Sequence, residues 1–120
     1  MQAGVDYYNK LIDELKANEI EPLVTLYHWD LPLVFQAIGG WTNRSMVDYF
    51  NDYARFCFDN FGSKVKYWIT LNEPAITMLR HPLYMYGNIQ NKTKLSILRY
   101  QTAHNQILGH AKVRFNSSSF

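Results

Sequence analysis

The sequence predicts an α/β fold built on a parallel sheet. Two nearly continuous apolar runs, IEPLVTLYHW and VKYWITLN, have the length and β-branched content of strands covered on both faces. Stretches with helical spacing alternate with them, in the order helix, strand, helix, strand, long loop, helix. That alternation means right-handed βαβ units. Only two strands are visible, and a two-stranded parallel sheet has two open edges and too little core to stand alone. Residues 1–120 therefore read as one piece of a larger α/β domain.

Each element has its own signal. Over residues 6–18 the apolar Tyr8, Leu11, Ile12 and Leu15 recur at helical spacing, and Asp6 is placed to cap that helix. Pro22 stands where a strand begins, and the first strand is expected over residues 23–28. DLPLVFQAIGGW follows as a loop or broken turn, with Gly39 and Gly40 opening backbone shapes closed to other residues. A second helix is expected over residues 45–61, with Val47, Phe50, Ala54, Cys57 and Phe61 as one buried stripe. Thr42 or Asn43 can cap it and Gly62 end it. The second strand covers residues 66–72, adjacent and parallel to the first. Residues 75–92, with Pro82 and Gly87, read as a looser stretch, and a third helix runs over residues 93–115 before a polar NSSS tail.

Composition narrows the class. With 48% apolar and 18% charged residues the chain is globular rather than disordered. A formal charge of +2 with scattered Lys and Arg speaks against a nucleic-acid surface. No apolar run reaches the roughly 18 residues that a bilayer requires, so no transmembrane segment is expected. The single Cys57 permits no internal disulfide and belongs to the core stripe. No Cys/His cluster has zinc spacing and no Gly-rich phosphate loop occurs, so neither a metal nor another cofactor is expected. Three sequons, at Asn43, Asn91 and Asn116, stand where composition gives about one by chance. They point toward the secretory pathway or the extracellular space. The opening MQAGVDYYNK lacks a signal-peptide layout, so that expectation puts any signal outside these residues.

The chemistry is expected at the strand ends. LYHWD closes the first strand and LNEP the second, and in parallel α/β folds the carboxyl ends of strands build the active site. His28, Trp29, Asn72 and Glu73 should therefore converge on one mouth. Pro74 disfavours helical geometry at Glu73, which is expected to stay extended and aimed away from the strand. On spacing alone, a glutamate at a strand end is more often a surface or ion-pair residue. Asp30 is expected to brace its own loop, and His104 and His110 to serve structure on a helix remote from both strand ends.

EPLVTLYHWDLP, GGW, VDYFNDYARFCFDNFG and VKYWITLNEP together resemble family 1 β-glycosidases, the group of β-glucosidases, lactases and myrosinases. The likeness covers residues 4–74 and resumes over AHNQILGHAKV. It implies a (β/α)8 TIM barrel, of which these segments form roughly the third and fourth βα units. It also implies retaining hydrolysis of β-glucosides or related β-glycosides, with Glu73 as general acid/base. Asn72 would hold the sugar 2-hydroxyl, and His28 and Trp29 would bind the glycone. Such chemistry needs two carboxyl groups about 5–5.5 Å apart, one nucleophile and one acid then base. The acid must keep its proton near neutral pH, which a partly dry pocket and a neighbouring carboxylate would arrange.

Two departures qualify the resemblance. After Pro74 the family carries a longer Gly-containing loop with an APG-like turn, whereas this chain has AITMLRHPLYMYGNIQNKTK on what the likeness makes the leaving-group side. The nucleophile motif, a strand ending in Glu-Asn-Gly, does not occur in these residues. The chain alone is accordingly expected to be inactive. The alternative is a non-catalytic glycan-binding or receptor-like relative; such proteins typically replace the acid/base, and Glu73 argues for the enzyme.

Overall fold

The computed structural model describes residues 2–117. Helix α1 (Gln2–Ala17) begins four residues before the expected cap, and Asp6 lies inside it, accepting a bond from Gln2 Nε2 at 2.8 Å. Gln2 and Ala3 are adequate helix formers, and the helix runs through Gly4 at a cost of about 1 kcal/mol. Its buried residues are Val5 and Ile12. The helix closes on Glu19, held in left-handed geometry at φ 60°, while Ile20 N–H returns to the Leu15 carbonyl.

Strand β1 (Leu23–Tyr27) and strand β2 (Tyr67–Leu71) pair in parallel, Leu23 opposite Tyr67 and Tyr27 opposite Leu71. The ladder extends one bond further, from Asn72 N–H to the Tyr27 carbonyl at 2.9 Å. The two strands thus end level. Between them the expected broken turn resolves into a short helix α2 (Leu33–Ala37) and a 3₁₀ turn (Gly40–Thr42). Helix α3 (Met46–Phe61) then buries Val47, Phe50, Ala54, Cys57 and Phe61, the predicted stripe. Of the two proposed caps, Asn43 organises the entry: its Oδ1 accepts from Ser45 N–H at 2.9 Å and its Nδ2 donates to the Ile38 carbonyl at 2.8 Å. The Thr42 hydroxyl is spent on the Gly39 carbonyl instead.

The stretch after Pro74 departs from expectation. Residues read as loop form helix α4 (Pro74–Tyr86), followed by α5 (Lys92–Ser117). Pro74 sits at the first turn, where its missing N–H costs nothing and its fixed φ suits a helix. Pro82 lies in the interior of α4 and costs one backbone bond. Its ring is fully buried, so packing against the rest of the fold offsets the loss. The end of the polar tail and the completion of the Asn116 sequon fall outside the described residues.

The core centres on Trp41, which is 0% exposed and packs edge-to-face on Tyr27 and Phe50 with centroids 5.5 and 5.4 Å away. Such pairs add about 0.5–1.5 kcal/mol each beyond burial. Two neighbours clamp the Trp41 backbone: its N–H donates to His81 Nε2 on α4 at 2.9 Å, and its carbonyl accepts from Asn105 Nδ2 on α5 at 2.9 Å. Gly40 makes the approach possible, because a Cβ there would sit 2.4 Å from His81 Nε2. The strands are less covered than their apolar runs suggested: Leu23 is 61% exposed, Tyr67 49% and Ile69 39%. Their side chains require neighbours that these residues do not supply.

Candidate active site

Both strands finish on a residue whose backbone is bent into the left-handed region. After β1 it is Trp29 at φ 73°, and after β2 it is Glu73 at φ 42° and ψ 62°. A non-glycine residue held there costs on the order of 1–3 kcal/mol, and such residues cluster at ligand and active sites. The expectation of an extended Glu73 is therefore corrected. Pro74 does bar the right-handed helical region, but α4 starts at Pro74 itself. The chain must swing from strand to helix within one residue, and the left-handed bend achieves this. The Glu73 carbonyl accepts from Ile76 and Thr77 N–H, and its carboxylate is exposed.

His28, Trp29, Asn72 and Glu73 all lie at the carboxyl end of the sheet, as the parallel register requires. Trp29 Nε1 donates to the Asn72 carbonyl at 3.2 Å, tying the two strand ends together, and the His28 and Trp29 rings meet edge-on at 5.9 Å. Asp30 Oδ1 accepts from His28 N–H at 3.2 Å, so this residue does brace its own loop. The four do not share one pocket within the described residues. Trp29 lines a cavity of about 320 Å³ against α4, with Tyr27, Thr77, Arg80 and His81. His28 and Asp30 instead stand at a second cavity of about 300 Å³ formed with α1, β1 and α3.

Burial shifts several groups of the core. Burial pushes the Tyr27 phenol above its ordinary value, with the Trp41 indole pulling the other way. Burial likewise pushes the Cys57 thiol up, consistent with an inert core cysteine. His81 is held below the usual histidine range by burial, which suits a ring nitrogen accepting from a backbone N–H. His110, expected to be remote, bonds Thr70 Oγ1 of β2 at 2.8 Å through Nδ1. Among the described residues no group of His, Cys, Asp and Glu could hold a metal ion.

Sequence reasoning did not single out Thr77, Arg80 or His81. Their signal was the helical continuation after Pro74, masked by Pro82 and by the stretch's departure from the expected loop pattern.

The glycosyl hydrolase family 1 profile matches residues 1–119. The chain belongs to glycosyl hydrolase family 1. It is 51% identical over 112 residues to Beta-glucosidase 42 of Arabidopsis thaliana, covering 92% of this chain and 23% of that protein. It is 45% identical over 117 residues to Beta-klotho of Mus musculus, covering 94% of this chain and 11% of that protein. The solved family 1 β-glucosidase from Thermotoga maritima superposes with a TM-score of 0.82 at 42% identity, over 93% of this chain and 25% of that one. The family 1 chain thus spans about a quarter of the length of the β-glucosidases it matches, and its α/β architecture is a partial (β/α)8 barrel. The exposed strand faces follow from that: in a barrel, each strand is covered by neighbours on both sides.

Proposed function

We propose that the full-length protein containing this chain is a retaining β-glycosidase acting on β-glucosides or related β-glycosides, and that Glu73 is its general acid/base. The observation that carries this is the strained Glu73 itself, level with Trp29 at the carboxyl end of two registered parallel strands. A surface glutamate gains nothing from a left-handed backbone before proline. A proton donor that must meet a glycosidic oxygen gains a fixed position.

In this reading Glu73 gives its proton to the departing oxygen while a second carboxylate, outside these residues, attacks the anomeric carbon. Glu73 then takes a proton from the water that releases the sugar. The Asn72 amide bonds the sugar 2-hydroxyl, and Trp29 and His28 hold the glycone. The indole N–H bond to the Asn72 carbonyl supports a common frame for the two strand ends. A second reading, a non-catalytic glycan-binding or receptor-like relative, draws on the 45% identity to Beta-klotho, whose name carries no glycosidase activity.

Glu73→Gln in the full-length protein separates them. The substitution keeps the shape and removes the transferable proton. Single-turnover glycosylation of a disaccharide should fall about 10²–10⁴-fold. A nitrophenyl glycoside, whose phenolate leaves with little help, should lose far less. Equal losses on both substrates would make Glu73 a binding or structural residue. A wild-type protein that turns over neither would favour the second reading.

A further inference from the structure

The hydrolytic reading leaves the three sequons unused, and the fold treats two of them differently. The third, at Asn116, runs beyond the described residues. N-linked glycosylation joins an oligosaccharide to the side-chain nitrogen of asparagine and leaves its carbonyl oxygen in place. The sugar is bulky and hydrated, so the nitrogen must be spare and the site open.

Asn91 meets both conditions. It is exposed, as are Lys92 and Thr93, which complete its sequon. It stands just before α5, where its Oδ1 accepts from Lys94 N–H at 2.9 Å, and among the described residues no hydrogen bond engages its Nδ2. A glycan on Nδ2 therefore keeps the helix cap. The connection is open as well: Gly87 ends α4 at φ 67°, and a Cβ there would meet nothing within 4 Å. From this point α5 runs back along the sheet, Asn105 bonding the Trp41 carbonyl and His110 bonding Thr70 of β2. Asn91 thus stands about 21 Å of helix before Asn105, out past the carboxyl ends of the strands.

Asn43 meets neither. It is half-buried in the turn before α3, between the buried Trp41 and Met46. Its Nδ2 donates to the Ile38 carbonyl at 2.8 Å and its Oδ1 accepts from Ser45 N–H at 2.9 Å, so both ends of the amide are engaged. Oligosaccharide transfer precedes folding, and these bonds do not hide Asn43 from the transferase. They decide afterwards which chains reach the native turn, because a sugar on Nδ2 crowds the Ile38 carbonyl and the entry to α3. Cys57, the single cysteine, is buried, so an oxidising compartment meets no exposed thiol here.

We infer that the protein passes through the secretory pathway and carries an N-linked glycan on Asn91, while Asn43 stays bare in the folded molecule. The Asn91 Nδ2 attacks the anomeric carbon of a lipid-pyrophosphate-linked oligosaccharide. The bond from that carbon to the phosphate oxygen breaks, its electron pair leaves with the pyrophosphate, and Nδ2 gives up one proton. Glu73 takes no part, so glycan and hydrolytic activity stand or fall separately.

The test expresses the full-length protein from its complete coding sequence in cultured animal cells and maps the soluble product by mass spectrometry. Peptide N-glycosidase in heavy-oxygen water converts each glycosylated asparagine to labelled aspartate. Label is expected at Asn91 and not at Asn43. Two variants, Thr93→Ala and Ser45→Ala, destroy one sequon each and leave its asparagine in place. Thr93→Ala should lose the gel-mobility shift of one glycan. Ser45→Ala should lose none, and the turn survives it, because Ser45 serves Asn43 through its backbone N–H and makes no side-chain cap bond. Label at Asn43 as full as at Asn91 would overturn the selection between them. An unlabelled Asn91, or a protein kept in the cytosol without glycan, would overturn the inference outright, whatever the hydrolytic activity of the same preparation.

Discussion

The two ends of the sheet are built on opposite terms. At the amino end, Lys64 reaches across to α1, its Nζ lying 3.0 Å from Asn9 Oδ1 and 2.7 Å from Asp13 Oδ1, while Lys16 Nζ donates to the Lys64 carbonyl at 3.0 Å. The left-handed Glu19 there closes α1, and the N–H groups of Asn18, Glu19 and Ile20 bond back to carbonyls of its last turn. At the carboxyl end the left-handed residues are Trp29 and Glu73, and the exposed Glu73 carboxylate makes no bond to another described side chain. One end spends its side-chain charges on itself; the other leaves the Glu73 carboxylate exposed. The same backbone strain thus has two meanings, and partners tell them apart. Barrel enzymes divide their strand ends in this way, with stability at the amino face and chemistry at the carboxyl face.

The largest effect should come from the Gly40–Thr42 turn, whose Trp41 packs on Tyr27 at the end of β1. Trp41→Ala in the full-length protein removes the fully buried indole between Tyr27 and Phe50 and should cost about 3–5 kcal/mol, measured by denaturant titration. A loss under about 1 kcal/mol would mean that the rest of the barrel, not this turn, fixes the β1 end.

A matched pair sharpens the contrast. Glu19→Gly and Glu73→Gly each replace a strained residue by the one that tolerates positive φ, and each should raise stability by up to about 1 kcal/mol. Only Glu73→Gly should abolish glycoside hydrolysis. Hydrolysis lost at Glu19→Gly as well would erase the division between the ends.

His81 sets a pH dependence of intermediate size. Burial depresses its folded value below the ordinary 6.5. Its unfolded form therefore takes up a proton first as pH falls, so stability is full above about pH 6.5 and declines below it, down to the folded value. The bond from Trp41 N–H is lost with protonation, since both ring nitrogens then carry hydrogens. His81→Asn, which keeps an acceptor, should flatten the melting temperature between pH 6.5 and 5; an unchanged slope would remove His81 as its source.

The smallest effect belongs to the amino end. Lys64→Met deletes a partly exposed ion pair with Asp13 and should cost less than about 1 kcal/mol, leaving kcat unaltered. A kinetic effect at that distance would show the ends to be coupled.

Parallel pairing of the strands and the buried stripe of α3 were legible because period and composition depend on covalent sequence alone: Val47 through Phe61 step by three and four wherever the helix is placed. The placement of His28, Trp29, Asn72 and Glu73 at one end followed from the same logic, since parallel strands of matched register must finish together. Helix α4 was not legible, because Pro82 disfavours a helix locally and only its complete burial reverses the balance. Nor could sequence separate the two cavities that divide His28 from Trp29, since side-chain direction after a left-handed bend depends on the bend. The asparagines show the same divide: the Asn43 amide is committed to the Ile38 carbonyl, whereas the exposed Asn91 uses only its oxygen, on Lys94 N–H.

By itself, then, the chain determined the two strands, the helices α1, α3 and α5, and which residues end the strands, through spacing, apolar content and the prohibition that proline places on its predecessor. Tertiary structure decided which permitted alternative each ambiguous residue took. Glu73 could be extended or left-handed until α4 had to begin at Pro74, and His81 was one histidine among four until Gly40 let its ring reach the Trp41 N–H. The reason is energetic: these local choices differ by about 1–3 kcal/mol, a gap that one buried side chain or one buried hydrogen bond closes.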